Sequence, residues 1–404
     1  MRDAPNTRSR YVRAGVLLSN TLIVLVVANA ILGLAWAWRD RKPRSQLLEQ
    51  YGVERLLPSY PGWSAPELEA LLLEDSTESE YEPLTEFRPK PKRGRFVNVD
   101  PGGFRAIENQ KPWPPDPNAV AVFVFGGSTA FGAGLRDEET IASRLQALFE
   151  ARGCESRAAV YNFGRPDYFS SQERVLFENL LAAGRVPAIA VFLDGLNDFY
   201  HWDGAPGWSV GIHALVEHAN ARGELGPAAA DFVRRTPFAR TAAAISRALG
   251  IAAPTGLAAG GTASALEVDD PVRLRGAIDR WLSNMRLIEA TSRAFGVRPL
   301  FVWQPVPTHA YDLAVHNLAR GDLTYFRAHQ RSHYGYALME TIRPTLGLGA
   351  EVLWLDEIQR GRQENLYVDG VHYTAAFSNE IAESIVSHLG EHEPAVCSAR
   401  APAR

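Results

Sequence analysis

Three residues from two distant parts of the chain have the types needed for nucleophilic catalysis. The segment Asp369–His372 reads Asp-Gly-Val-His and places a carboxylate three residues before an imidazole, where a glycine and nearby tyrosines predict a turn. Ser128 follows an apolar run and two glycines. A serine hydroxyl is a weak nucleophile unless a base removes its proton and a third group orients that base. Ser128, His372 and Asp369 are the candidates for these roles.

A parallel α/β sheet would bring these residues together. From Val120 onward, apolar strand-like runs alternate with helix-like segments, which predicts a mainly parallel sheet covered by helices on both faces. We therefore expect an α/β fold, a three-layer α/β/α sandwich with a five-stranded sheet. The predicted strands are Val120–Phe125, Ala159–Asn162, Ala188–Leu193, Pro299–Trp303 and Val352–Leu355.

Helical spacing and capping residues predict the helices of this domain, which we bound at 119–390. Ile141–Phe149 has apolar residues at helical spacing, and Ser170 with Glu173 has the spacing of a capping box. A long helix is predicted over Pro271–Phe295, and the last helix begins near Thr374. Residues 199–268 break the alternation and include an Ala/Gly-rich stretch, so we interpret them as an insertion or lid after the third strand.

The amino-terminal region predicts a membrane anchor. Ala14–Trp38 carries no charge and is long enough, at about 1.5 Å per residue, to cross a hydrocarbon core of roughly 30 Å. Trp36 and Trp38 have the positions of an interfacial belt. The alternative is a cleaved signal peptide, but the apolar stretch is longer than a usual h-region and no clear small-x-small site follows it. We expect a single transmembrane helix over residues 14–38, after a tail of residues 1–13.

Charge does not decide on which side of the membrane the domain lies, because four basic residues precede the apolar stretch and four follow it closely. Residues 39–118 are rich in Pro, Glu and Arg, which predicts a juxtamembrane stalk, and residues 391–404 form a second tail. With a net charge of -4, nothing indicates a nucleic-acid partner. Cys154 and Cys397 do not fix the redox compartment.

Polar or glycine residues follow three of the predicted strands. Ser128 follows the first, Gly164 the second and Asn197 the third. The carboxyl ends of the strands in an open α/β sheet are where ligands bind, so we expect these residues to share one edge. The segment after the first strand lacks both the G-x-G-x-x-G order of a dinucleotide site and the lysine of a phosphate loop. No zinc-type spacing occurs either, so neither a metal nor another cofactor is expected.

These blocks and their order resemble the SGNH/GDSL hydrolase superfamily, over about Val120–Leu389. The resemblance implies a flavodoxin-like sandwich with Ser128 as nucleophile, His372 as general base and then acid, and Asp369 as the group that orients the imidazole. It also implies an oxyanion hole made of the backbone N–H groups of Ser128 and Gly164 and the side-chain amide of Asn197. One position departs from the family, because its Gly-Asp-Ser reads Gly-Gly-Ser here.

Each site residue also has a structural explanation. Ser128 could cap the helix after the first strand, and Gly164 could permit a turn. Asn197 could be a turn or capping residue, and Asp369 and His372 could lie on an exposed loop. Their joint order behind predicted strands favours a shared site.

The predicted function is a membrane-anchored serine esterase or acylhydrolase that cleaves an oxygen ester through an acyl-serine intermediate. The expected partners are the membrane and an ester-bearing small molecule, glycan or lipid. Similarity to membrane-tethered members of the superfamily favours an extracytoplasmic, periplasmic domain that acts on the cell envelope. Two alternatives stay open, an O-acyltransferase with the same triad and a non-catalytic glycan-binding or assembly module in which Trp202, Trp208 and Trp303 stack on sugars. The oligomeric state does not follow from the sequence.

Overall fold

The computed structural model describes residues 7–40, 45–76, 78–154, 158–206, 236–248 and 266–392. It separates into two compact units, one made of residues 1–43 and 211–264 and the other of residues 44–210 and 265–404. The larger unit contains the predicted α/β domain. The Ala/Gly-rich stretch 256–263 and most of the predicted lid lie outside the described residues.

The larger unit is built on the predicted sheet, so the fold class is confirmed. Its strands are β3 (Val120–Gly126), β4 (Ala158–Asn162), β5 (Ile189–Asp194), β6 (Arg298–Trp303) and β7 (Val352–Trp354). All neighbours pair in parallel, in the spatial order β4-β3-β5-β6-β7. This is the flavodoxin-like order 2-1-3-4-5, whose switch point lies at the carboxyl ends of the two strands on either side of the reversal.

Helices cover both faces of the sheet. The helices of this unit's sandwich are α5 (Ser128–Phe131), α6 (Ile141–Phe149), α7 (Ser170–Ala182), α8 (Leu196–Tyr200), α10 (Pro271–Phe295), α11 (Gln330–Ile342) and α12 (Ala375–His392). Helices α6 and α12 pack on one face, where Val122 and Val124 point. Phe123 and Phe125 point to the other face, against α7 and α10. The alternation along β3 therefore serves two apolar layers, as expected for a strand buried on both sides.

The predicted helix boundaries are close to the observed ones. Helix α10 spans Pro271–Phe295 as predicted, and Asp270 caps it by accepting the N–H groups of Val272 and Arg273. Gly296 ends it in the left-handed conformation (φ 71°). A capping carboxylate, a proline at the first helical position and a glycine after the last turn are sufficient signals for both ends.

The described residues 45–76 and 78–118 differ from the stalk predicted over residues 39–118. They contain α2 (Gln46–Tyr51), α3 (Val53–Leu56), α4 (Ala65–Asp75) and an antiparallel hairpin of β1 (Ser79–Glu82) and β2 (Glu86–Pro89). Leu68, Leu71 and Leu72 of α4 are buried with Phe131 and Val368 of the α/β domain. The prediction of a stalk was wrong because these elements are short, and because their apolar faces become visible as core only when the distant partners are known. We call residues 45–111 the amino-terminal cap.

The smaller unit contains α1 (Thr7–Asp40) and α9 (Pro237–Ala248). Within α1, Tyr11–Trp38 is the one described helix long and apolar enough to cross a membrane, with a mean hydropathy of 2.2. None of its most apolar stretch is buried by other parts of the protein. This agrees with the predicted anchor, although a signal sequence has the same properties.

Candidate active site

Ser128, His372 and Asp369 form one hydrogen-bonded chain. The Ser128 Oγ lies 2.7 Å from the Nε2 of His372, and the His372 Nδ1 lies 2.6 Å from the Oδ2 of Asp369. The second carboxylate oxygen of Asp369 accepts the N–H groups of Val371 and His372, each at 2.9 Å. These two backbone bonds orient the carboxylate, which in turn fixes the imidazole with Nε2 toward the serine.

The surroundings set the charge states of this pair. Burial alone would lower the pKa of His372, but the charge and hydrogen bond of Asp369 outweigh it, so the pKa of His372 is raised. Burial would likewise raise the pKa of Asp369, but the charge of His372 and the bonds to that carboxylate leave the pKa below its usual value. Asp369 is therefore ionised at neutral pH, and it stabilises the imidazolium that forms when His372 takes the serine proton.

Ser128 is not the cap of the helix that it begins. Gly127 occupies the N-cap position of α5, and Ser128 is the first helical residue, with its side chain bonded to His372 instead of to the helix. The Ser128 N–H has no acceptor among the described residues. Both the hydroxyl and the N–H of Ser128 are consequently available for chemistry at the carboxyl end of β3.

Asn197 lies beside Gly127, as a shared site requires. Its Nδ2 donates one hydrogen to the carbonyl of Tyr168 at 2.8 Å, which leaves the second hydrogen free. A Cβ added to Gly127 would lie 2.3 Å from that same Nδ2. Gly127 therefore leaves the space that the Asn197 amide occupies, and a larger residue at this position would displace that amide.

Filling the space beside Gly127 should lower the catalytic rate. Gly127→Ala is expected to displace the Asn197 amide and to lower kcat by about 10²–10³-fold, the usual effect of losing one oxyanion-hole donor. Asn197→Ala should have a similar effect, and the double variant should cost less than the product of the two. Gly276→Ala is the matched control, because a Cβ at this helical glycine meets no atom within 4 Å. Additive losses in ester hydrolysis would contradict the shared role.

The structure does not bring the Gly164 N–H to the site as predicted. That N–H donates to the Oδ1 of Asn162 at 3.0 Å, so it is already committed. A Cβ at Gly164 would lie 2.4 Å from the backbone nitrogen of Phe131, which explains the glycine by close packing of this loop against α5. The residue is structurally required, but its predicted role as an oxyanion donor disagrees with this geometry.

Asp167 is a residue that the sequence did not single out. It has a left-handed backbone (φ 63°), and its N–H has no acceptor among the described residues. It directly precedes Tyr168, whose carbonyl holds Asn197 and would lie 3.0 Å from a Cβ at Gly127. Its exposed carboxylate also raises the pKa of His372. No pattern in the sequence marks an aspartate for this conformation.

Buried acidic residues hold the segment that carries Asn197. Asp198 accepts a hydrogen bond from the Ser170 hydroxyl at 2.5 Å and one from the Gly195 N–H at 3.3 Å. Arg280 donates to the carbonyls of Asp198 and His201, each at 2.9 Å. Burial, together with the charge of Asp198, raises the pKa of Asp194 to about 8. The hydrogen bonds of Asp198 and Arg280 hold α8 against α10, and they thereby position Asn197, which lies on α8.

The amino-terminal cap also contributes a carboxylate near His372. Asp75, at the end of α4, accepts the Gly134 N–H at 2.9 Å and lies 3.9 Å from a guanidinium nitrogen of Arg105. The buried Arg105 donates to the carbonyls of Phe131 and Gly132, which close the helix begun by Ser128. The charge of Asp75 is one of those that raise the pKa of His372. The cap therefore belongs to the surroundings of the site.

Neutralising Asp75 should shift the pH dependence of the reaction. Removal of a negative charge lowers the pKa of His372, so the neutral, basic imidazole persists to lower pH. For Asp75→Asn we expect the acid limb of kcat/KM to move to lower pH, with the plateau changed less than about tenfold, or ~1.4 kcal/mol in barrier. Asp137→Asn is the control, since Asp137 also pairs with Arg105 at 3.0 Å. Equal shifts in both variants would assign the effect to Arg105 instead.

Of His201, His213 and His309, the two that the structure describes have structural positions. His201 is buried and stacks on Phe169 with ring centroids 5.2 Å apart, and burial lowers its pKa. His309 lies against Tyr336, and burial lowers its pKa as well. His213 lies outside the described residues. His201 and His309 are therefore wall or core residues rather than members of the hydrogen-bonded chain.

Comparison with known proteins gives distant structural similarity alone. No family model and no curated protein matches the chain. Among solved structures, an acetyl xylan esterase is 12% identical, with 66% of this chain and 98% of that one covered and a TM-score of 0.34. A psychrotrophic esterase from Pseudoalteromonas sp. is 11% identical, with 68% and 98% covered and a TM-score of 0.34. A lipase from a goat rumen metagenome is 11% identical, with 67% and 97% covered and a TM-score of 0.36.

The sheet order and the site have the features of one superfamily. The chain has the flavodoxin-like sheet order, and Ser128 and Asn197 follow two neighbouring strands of that sheet. The Asp-x-x-His pair reaches the same edge through a bond to the serine. In its sheet order, its sequence blocks and its Ser128–His372–Asp369 chain, the protein resembles the SGNH/GDSL hydrolase superfamily.

Proposed function

We propose that this protein is a membrane-anchored serine esterase that cleaves an oxygen ester through an acyl-serine intermediate. The observation that carries the proposal is the continuous hydrogen-bonded chain from Ser128 through His372 to Asp369, with distances of 2.7 and 2.6 Å. A helix cap or an exposed loop would not require a serine, an imidazole and a buried carboxylate in this order. The three groups are arranged to activate an alcohol as a nucleophile.

In the first half-reaction the Ser128 Oγ attacks the acyl carbon of the ester, and its proton moves to the Nε2 of His372. The carbonyl oxygen becomes an oxyanion. The Ser128 N–H and the free hydrogen of Asn197 Nδ2 are the donors we assign to it. Collapse of the intermediate breaks the bond to the leaving oxygen, which takes the proton from Nε2 and departs as an alcohol. The acyl group remains on Ser128.

In the second half-reaction a hydroxyl compound replaces the departed alcohol. His372 removes its proton, the resulting oxygen attacks the acyl carbon, and the proton then returns to Ser128. Water as acceptor gives a hydrolase, whereas a sugar hydroxyl gives an O-acyltransferase with the same residues. Product analysis with and without added alcohols measures this partition, since a transferase forms a new ester at the expense of free acid.

A glycan-binding module without catalysis has less support. Trp202 is 3% exposed and Trp303 is 1% exposed, so neither offers a face for stacking on a sugar ring. Trp208 lies outside the described residues. A non-catalytic module would not need the hydrogen-bonded chain of Ser128, His372 and Asp369.

The membrane anchor is proposed from the apolar, unburied helix Tyr11–Trp38. An anchored esterase meets its substrates at the membrane, which favours an ester on an envelope glycan or lipid, and we place the domain on the extracytoplasmic side. A reporter that is active only in the periplasm, fused after Arg404, tests this placement, and its activity would support an extracytoplasmic domain. Activity of a reporter that works only in the cytoplasm, fused at the same position, would contradict it. Release of the protein by salt or alkaline washing would contradict the anchor.

Covalent labelling tests the nucleophile directly. The full-length protein in detergent is treated with a fluorophosphonate and digested, and the adduct is mapped by mass spectrometry. We expect one adduct, on the peptide that contains Ser128, and none after prior denaturation, because the serine is activated only by its folded partners. Labelling of several serines at similar rates, or equal labelling after denaturation, would reject the proposed function.

A further inference from the structure

A polar residue inside the apolar stretch of α1 points to a second element at the membrane. Asn29 donates from its Nδ2 to the Leu25 carbonyl at 2.9 Å, and its Oδ1 accepts the backbone N–H of Phe238 at 3.1 Å. Phe238 is the second residue of α9, so its N–H has no acceptor within its own helix. An amide side chain within a membrane span is costly unless it is hydrogen-bonded. Asn29 therefore uses both ends of its amide in hydrogen bonds, and it accepts one N–H of the first turn of α9.

Two further contacts and one close approach hold α9 along the end of α1. The Trp36 Nε1 donates to the Thr241 Oγ1 at 3.0 Å, and the Arg240 guanidinium lies 4.3 Å from the centre of the Trp36 ring. A Cβ added to Gly33 would lie 3.4 Å from the ring of Pro237. Helix α9 therefore packs against the last turns of the apolar stretch, from Asn29 to Trp36.

The side of α9 that does not contact α1 includes an exposed apolar face. Phe238 and Ile245 are 52% and 54% exposed. They are seven residues apart, so they lie within about 20° of each other around the helix, and Ala242 lies about 40° from Phe238. Arg240 is two residues from Phe238, about 200° around the helix, and so on the opposite side, where its guanidinium contacts Trp36 of α1. Helix α9 therefore docks on α1 through one side and leaves an apolar side exposed, as a helix that lies in a membrane interface does.

The position along α1 at which α9 docks agrees with a location at the membrane interface. Tyr11–Trp38 is about 42 Å long at 1.5 Å per residue, more than a hydrocarbon core of roughly 30 Å needs. Its carboxyl-terminal turns, with Trp36 and Trp38, therefore extend into the interfacial region. Helix α9 is attached at these turns.

We infer that α9 is a lipid-binding helix, docked on the anchor through Asn29 and Trp36, with Phe238 and Ile245 in the outer part of the acyl chains. The inference rests on the proposed membrane anchor, and its partner is the lipid bilayer. It gives the insertion between the third and fourth strands of the sheet a second attachment to the membrane, separate from α1. The enzyme is then held at the bilayer at two points of its sequence.

Site-directed spin labelling of the full chain tests this inference. Cys154 and Cys397 are replaced by serine, and single cysteines are introduced as Phe238→Cys, Ile245→Cys and Ala243→Cys. Ala243 is five residues from Phe238, about 140° around α9, and serves as the matched position. The labelled protein is reconstituted in vesicles of phosphatidylcholine and phosphatidylglycerol. Accessibility of each nitroxide to oxygen, which concentrates in lipid, and to a water-soluble nickel chelate is then measured.

We expect the oxygen-to-nickel accessibility ratio to be severalfold higher at positions 238 and 245 than at 243. Leu22→Cys in α1 is the reference, because Leu22 is 63% exposed in the middle of the proposed span. A lipid signal at 22 with a water signal at 238 and 245 would overturn the inference but leave the anchor intact. A water signal at 22 would instead reject the anchor.

A second variant separates docking from simple affinity for lipid. Asn29→Leu removes the acceptor of the Phe238 N–H without adding charge to the span. We expect the ratio at 238 to fall while that at 22 stays unchanged, because the first turn of α9 loses its hydrogen bond to α1. An unchanged ratio at 238 would contradict the docking through Asn29.

Discussion

Ser128→Ala is expected to lower kcat for ester hydrolysis by about 10⁴-fold or more, to the background of the assay. The variant keeps the backbone donors and His372, but it has no oxygen that can form the acyl intermediate. Water attack assisted by His372 would be the only remaining route. Hydrolysis of p-nitrophenyl acetate by the full-length protein in detergent measures the loss, with the uncatalysed rate subtracted.

The structure also predicts that this variant folds. Among the described residues the side chain of Ser128 makes one hydrogen bond, to His372, and its removal leaves the bonds of Asp369 to His372 in place. Ser283→Ala is the matched control, because Ser283 is an exposed serine whose hydroxyl donates to the Asp279 carbonyl within α10. We expect wild-type turnover for the control. Turnover by Ser128→Ala within tenfold of the wild type would show that another group forms the intermediate.

The sheet could be predicted because its strands are continuous apolar runs between turn residues. The observed β3 and β6 each extend one residue beyond the predicted strands, and the ends of the other three strands also differ from the prediction by at most one residue. Strands buried on both faces need apolar residues at every position, and that requirement is local. The site residues that follow such strands, Ser128 and Asn197, could be located from the same pattern.

The amino-terminal cap could not be predicted in this way. Its proline- and charge-rich composition indicates a linker, whereas its structure depends on long-range packing of Leu68, Leu71 and Leu72 against Phe131 and Val368. Spacing of three and four residues among these leucines, and the Ser-x-x-Glu spacing of Ser64 and Glu67 before them, were helical signals. The effect of Asp75 on the pKa of His372 could not be predicted without that packing, because the two residues are almost 300 positions apart.

The direction of the backbone N–H groups near the site could not be predicted from the sequence either. Proximity of Gly164 to the end of β4 was predicted from its position, but the direction of an N–H depends on backbone torsions and on competing acceptors. The Asn162 side chain takes the Gly164 N–H, and the left-handed Asp167 leaves its own N–H free. Neither property follows from residue type, since aspartate adopts positive φ only occasionally.

Asp369→Asn is expected to cost about 10⁴-fold in kcat, although it changes a single atom. The Oδ1 of Asp369 accepts two backbone N–H groups, and the amide oxygen of asparagine can keep these bonds. The amide nitrogen then faces the Nδ1 of His372 and donates to it. This stabilises the tautomer that carries its proton on Nε2, which cannot accept the proton of Ser128.

This mechanism makes a distinct prediction about pH. If Asp369 acted only by raising the pKa of His372, the variant would recover above that pKa, where the imidazole is neutral in both proteins. A wrong tautomer is neutral as well, so we expect the loss to persist across the alkaline plateau of kcat. Asp356→Asn is the matched control, because Asp356 is also buried and lies 4.0 Å from His309, away from Ser128. Recovery of Asp369→Asn at alkaline pH would assign Asp369 an electrostatic role and reject the orienting one.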